Sequence, residues 1–195
     1  MYNQLTRKGD TMYRKISTGD LCRMAIFVAV IAICAQIAIP MPGGVPMTLQ
    51  TWAISLAAIV LGTKNGTMAV LVYILLGVVG APVFAGFAGG LGIVFGATGG
   101  FIISFPLMAL AAGIGANTRN AAGERSTIWL IAGLILGTVA NFVIGMLYFS
   151  FVMGVGLQAA FAAAVLPFIP SALLRIALLP AFAKSISYAL NTSSS

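Results

Sequence analysis

Residues 81–100, APVFAGFAGGLGIVFGATGG, carry no charged side chain, are crowded with glycine and lie between two apolar segments. The stretch is too irregular for one membrane helix and too apolar for an ordinary solvated loop. Its glycines, at 86, 89, 90, 92, 96, 99 and 100, allow positive φ and bring peptide groups close to a neighbour or a ligand. Irregular backbone at a bilayer is tolerated only where it is packed in protein or lines a cavity, because lipid cannot satisfy N–H and C=O groups. The stretch is therefore expected to be the lid or wall of a binding pocket.

The flanking chain sets the class. Of its 195 residues 61% are hydrophobic and 7% charged, and the mean hydropathy is +1.09, which leaves no polar surface for a water-soluble domain and indicates an integral membrane protein. The net charge of +7 comes from basic residues at the ends of apolar segments, without interleaved aromatics, so it marks topology and not nucleic acid. Histidine is absent, which removes His-ligated metals and His acid–base chemistry. Cys22 and Cys34 are about 18 Å apart along a helix, beyond disulfide reach, and read as apolar packing or interface residues. No Walker A sequence is present, and GGLGIVFG lacks the spacing of a dinucleotide fingerprint.

Outward from the glycine-rich stretch, apolar periodicity and breakers predict an all-α integral membrane protein of six transmembrane helices, with an outward-facing pocket capped by outer loops. A basic segment, 1–22, with Arg7, Lys8, Arg14 and Lys15 precedes a single membrane domain, 23–190, and a short tail, 191–195. Its charge places the N-terminus in the cytoplasm. Spans are expected at 24–39, 48–61, 67–79, 100–116, 127–153 and 171–190. PMPGGVPM (40–47) ends the first as an outer loop, and GTKNG (62–66) ends the second, with Lys64 cytoplasmic. The third is only about 20 Å long, against a hydrocarbon core of ~30 Å. Pro106 should kink the fourth. Residues 116–126 form a cytoplasmic loop with Arg119, Glu124 and Arg125, and 154–170 an outer connection with a short interfacial helix. Lys184 returns the last helix to the cytoplasmic end, so both termini lie inside and the protein belongs in the cell membrane.

Of the ten Lys and Arg residues, only Arg175 falls toward the outer half. No acid in the membrane can pair with it, so it is expected to face a cavity and receive an anion, its planar donor fork matching a carboxylate; the plainer alternative is a snorkelling helix-end residue. Gln36, Gln50, Thr51 and Asn141 fall at depths that could build a polar pocket. Asn141 shares a helix face with Gly137 and Gly145, which could equally be a packing seam with one interhelical hydrogen bond. Tyr73 reads as a packed residue with a satisfied hydroxyl. Ala25 and Ala29 form a small-xxx-small pair that permits close approach of another subunit.

VPMTLQT (45–51), GAPVFAGFAGGLGIVFGATGGFIISFPLMA (80–109) and FIPSALLRIALL (168–179) together resemble the BioY family, the biotin-specific substrate-binding components of energy-coupling-factor (ECF) transporters. The resemblance implies capture of biotin from outside, without catalysis, cofactor or metal. It also implies coupling to a separate transmembrane subunit and two ATPase subunits, with Ala25 and Ala29 as contacts for the transmembrane partner. Set against the chemistry of biotin, this sequence offers Arg175 for the carboxylate, Phe84 and Phe87 with the close backbone of Gly86, Gly89 and Gly90 for ring burial, and some of Gln50, Thr51 and Asn141 for the ureido hydrogen bonds. The chain departs from the family pattern at Ala172, where an acid is usual three residues before a lysine, and at Ala97 and Phe101, where proline and tyrosine are usual. Rival readings are a component for another vitamin or small anion, a membrane-embedded enzyme and a structural membrane protein.

Overall fold

A computed structural model of the chain describes residues 17–41, 43–120, 123 and 125–192, with side chains as far as Ala183. The basic residues expected at 7, 8, 14 and 15, together with Glu124, the Lys184 side chain and the end of the tail, lie outside the described residues. The fold is all-α, a bundle of apolar helices joined by short connections. Among the described residues, five helical stretches are long and apolar enough to cross a membrane: Thr18–Gln36, Gln50–Val78, Gly99–Asn117, Thr127–Met153 and Leu157–Ala183.

Helix α1 (Thr18–Gln36) starts earlier than the apolar run suggests, because Ser17 and Asp20 form a reciprocal capping box that satisfies the first free amides. It also stops earlier, at Gln36. The chain then makes a small antiparallel hairpin, β1 (Ala38–Ile39) on β2 (Met47–Thr48), around the expected outer loop.

Helix α2 (Gln50–Val78) is two expected spans in one helical run. Its single non-helical residue is Gly62, at φ 79° and ψ 174°, a region that essentially only glycine occupies. The two arms, 50–61 and 63–78, fold back on each other there: a Cβ on Gly66 would lie 2.6 Å from the Ala58 Cα. Gln50 and Tyr73 likewise meet at 2.7 Å, though ~1.5 Å per residue along a straight helix would put them about 34 Å apart. The expected GTKNG loop is thus a one-residue reversal, and the third span begins at 63, not 67.

After a connection containing a 3-10 turn at Ala85–Phe87 and the short helix α3 (Leu91–Val94), helix α4 (Gly99–Asn117) runs on through Pro106. It is the central helix, with 61% of its span buried against 22–39% for the others. Helix α5 (Thr127–Met153) packs along it through glycines: Gly133 sits on the Ala111 carbonyl, Gly137 on Met108 and Gly145 on the Phe101 ring. Helix α6 (Leu157–Ala164) lies against α5 in the place expected for a short interfacial helix. A 3-10 turn at Leu166–Phe168 leads into helix α7 (Ile169–Thr192).

The alternation of direction gives the bundle two ends. At the reversal end, Asn117 Nδ2 donates to Thr63 Oγ1 at 3.0 Å and Arg125 to the Ile59 carbonyl at 3.2 Å, so the α4–α5 connection caps the turn of α2. Burial, and secondarily the neighbouring Arg119, hold the Arg125 guanidinium below its ordinary pKa. The β hairpin, the 79–98 connection and α6 gather at the other end. Cys22 and Cys34 are both free thiols.

Candidate functional site

A cavity of about 320 Å³ opens at the hairpin end, within the roughly 300–1,000 Å³ usual for small-molecule sites. Its walls come from the loop before β2, the start of α2, the 84–98 connection, α4, α5 and α7. Phe84, Phe101, Phe105, Phe142 and Phe168 make it largely aromatic, and Phe101 and Phe168 stack at 6.4 Å. Polar groups are few and spaced apart, the usual arrangement where orientation is fixed by a handful of contacts.

Arg175 is the charged group on the wall. It is 2% exposed and points into the bundle, so the snorkelling alternative does not describe it. Nη2 donates to Thr138 Oγ1 at 2.7 Å, Nη1 approaches the Met108 sulfur at 3.7 Å, and Nε is buried without a partner. Thr138 in turn donates to the Leu134 carbonyl at 2.6 Å, which fixes its oxygen as the acceptor for Arg175.

Asn141, one turn along α5 from Thr138, donates from Nδ2 to both the Phe101 carbonyl, at 3.1 Å, and Ser104 Oγ, at 2.7 Å. Its side-chain oxygen is what it can offer a ligand. It is therefore both a seam residue between α4 and α5 and a cavity residue. Gln50 donates from Nε2 to the Tyr73 hydroxyl at 2.7 Å, and Tyr73 donates to the Val83 carbonyl at 3.0 Å. This chain locks the arms of α2 and the following connection together, and Tyr73 is the satisfied packing residue the sequence suggests. Ser171 accepts from the Trp52 indole at 3.2 Å, tying α7 to α2 at the rim.

The residues singled out from sequence divide cleanly. Gln50, Thr51, Phe84, Asn141 and Arg175 line the cavity. Gly86, Phe87, Gly89 and Gly90 stand outside its lining, and Phe87 is 72% exposed. Gln36 is not a pocket residue either: its amide reaches the carbonyls of Ala32, Val83 and Phe84 and accepts the Phe87 N–H at 2.8 Å. Ala25 and Ala29 are exposed on α1, on the flank of its buried stripe Met24, Val28, Ile31 and Ala35. Phe105, Phe142 and Ser171 were not singled out. Only the period of their helices could have pointed to them, and it does not separate cavity from core.

This combination of apolar helices around a small aromatic cavity with one buried cation defines a membrane-embedded protein of the small-molecule-binding class. Residues 9–192 match the family model described as "BioY family", and the chain belongs to that family. It is 39% identical over 150 residues to a probable biotin transporter BioY of Pyrococcus horikoshii, covering 77% of this chain and 85% of the relative. It is also 39% identical over 132 residues to a biotin transporter BioY of Thermotoga maritima, covering 68% and 75%. The crystal structure of the S-component for biotin from an ECF-type ABC transporter superposes with a TM-score of 0.74 at 26% identity, over 87% of this chain and 91% of that one.

Proposed function

We propose that this chain is the biotin-binding component of an ECF-type ABC transporter, which captures biotin and is energised by separate ATPase subunits. Family membership supports the substrate, and one feature of the site carries the reading. Arg175 is a buried guanidinium on the cavity wall, and its hydrogen bonds go only to neutral groups. A carboxylate ligand completes it, by charge-assisted hydrogen bonds in a dry site.

The remaining surfaces suit the rest of the molecule. The Asn141 oxygen is available to a ureido N–H, with Gln50 and Thr51 beside it, and Phe84 and its aromatic neighbours cover the rings. Gly86, Phe87, Gly89 and Gly90 shape the connection that holds Phe84 in place and covers the bound rings. Arg23, Lys64, Arg119 and Arg125 gather at the reversal end, which under the positive-inside rule is cytoplasmic. The cavity then faces outward, and the termini lie inside, in the cell membrane. The exposed small face at Ala25 and Ala29 admits the transmembrane partner.

Calorimetric titration of biotin into the detergent-purified protein tests the reading, alongside Arg175→Gln and a biotin amide that lacks the carboxylate. Tight one-to-one binding is expected, weakened comparably by the substitution and by the amide, with little further loss when the two are combined. Absence of heat with biotin in folded protein overturns it.

A further inference from the structure

The surroundings of Arg175 are incomplete even before a vitamin is considered. A guanidinium carries five N–H donors and a charge that physiological pH does not remove. Two of those donors meet neutral acceptors, Thr138 and the Met108 sulfur, and Nε meets none. Among the described residues the sole acid is Asp20, which is engaged by Ser17 at the far end of α1. A charge held away from water without a counter-charge is costly, and the cost is relieved by any anion that can reach it.

There is room for one. Ala172 precedes Arg175 by one helical turn on the same face of α7, and its methyl lines the cavity, so no side chain fills the space on that face. Ser171 lines the same wall. Its oxygen accepts from Trp52, which leaves the hydroxyl hydrogen free to donate. We infer that in the absence of an organic ligand Arg175 holds a small monovalent anion, of the chloride or formate class, and that a carboxylate ligand enters by displacing it one for one. The anion site stands on the geometry alone; the displacement rests on the function proposed above.

Two measurements separate them. In the first, the ligand-free protein is melted in chloride, formate or bulky gluconate at one ionic strength. Chloride and formate should raise the midpoint relative to gluconate in the wild type, but not in Arg175→Gln. Arg175→Lys keeps a cation there and should retain the dependence, which keeps the test decisive if the Gln variant folds poorly. In the second, biotin is titrated at rising chloride. At constant ionic strength its apparent Kd should rise about tenfold between about 10 and about 500 mM chloride, as mass action gives for a competitor of roughly 40 mM affinity, while the affinity of the biotin amide stays constant.

A midpoint indifferent to chloride, or equally sensitive in Arg175→Gln, overturns the anion site. Biotin binding that ignores chloride overturns the one-for-one displacement, while leaving the vitamin reading intact. Chloride-dependent melting with no biotin heat leaves the anion site standing and removes the vitamin reading.

Discussion

Gln36 accepts the backbone N–H of Phe87 at 2.8 Å, and Phe87 is the one non-glycine at positive φ among the described residues, at 55°. The same amide donates to the Phe84 carbonyl at 3.1 Å, so one side chain at the end of α1 holds both ends of the turn. That turn sends the Phe84 ring inward and the Phe87 ring outward. Gln36→Leu is expected to cost about 1–3 kcal/mol, since the Phe84 carbonyl loses its side-chain donor and the Phe87 N–H its acceptor. The specific readout is hydrogen exchange at the Phe87 amide, which should speed up markedly. An amide that stays equally protected in the variant would sink the clamp.

Gly77 has no space for a side chain, because the Phe84 ring lies on its Cα. Phe84 is also edge-on to Tyr73, with ring centroids 5.7 Å apart. Gly77→Ala should destabilise by about 1–3 kcal/mol through overpacking. In Phe84→Leu the same change should cost less, a coupling that a double-mutant cycle in thermal melts would detect. Simple additivity would mean that the two residues do not meet.

Gly62→Ala places a methyl at φ 79° and ψ 174° and should cost roughly 1–3 kcal/mol. Gly156 provides the control, with φ −63° and no neighbouring atom within 4 Å of where a methyl would stand, so Gly156→Ala should change stability by no more than about 0.5 kcal/mol. Equal effects of the two substitutions on the melting temperature would remove the special role of Gly62.

The Trp52 indole bonds to Ser171 on the cavity wall, whereas Trp129, the other tryptophan, is exposed near the start of α5 at the reversal end. Ligand entering the cavity should shift tryptophan emission, and Trp52→Phe should abolish that shift while preserving calorimetric binding within about threefold, the modest cost of losing one neutral hydrogen bond. A shift that survives in Trp52→Phe would assign it to Trp129.

Much of this was legible in the sequence, for identifiable reasons. Residues 127–153 are mostly apolar and carry no charge between a polar loop and Gly154, and α5 occupies that range. Arg175 stood out because charge is rare in an apolar segment, and it lies on the cavity wall. The reversal at Gly62 was misplaced because Thr63, Lys64 and Asn65 look like a loop, while helical geometry tolerates them once glycine has turned the chain. Phe84 and Phe87 could not be told apart because an irregular turn has no period from which to read inside and outside. Gln36 sat at the right depth, yet depth says nothing about which carbonyls claim an amide.

The back-to-back arms of α2 bear on how the polypeptide enters a bilayer during synthesis. Arm 50–61 is about 18 Å long and arm 63–78 about 24 Å at ~1.5 Å per residue, each short of a ~30 Å hydrocarbon layer. The bond that closes them, Gln50 to Tyr73, requires both to be present. Biogenesis must therefore deliver residues 50–78 as one insertion unit, a helical hairpin admitted whole, and a nascent chain halted at Gly62 has no stable way to leave its first arm behind in the lipid.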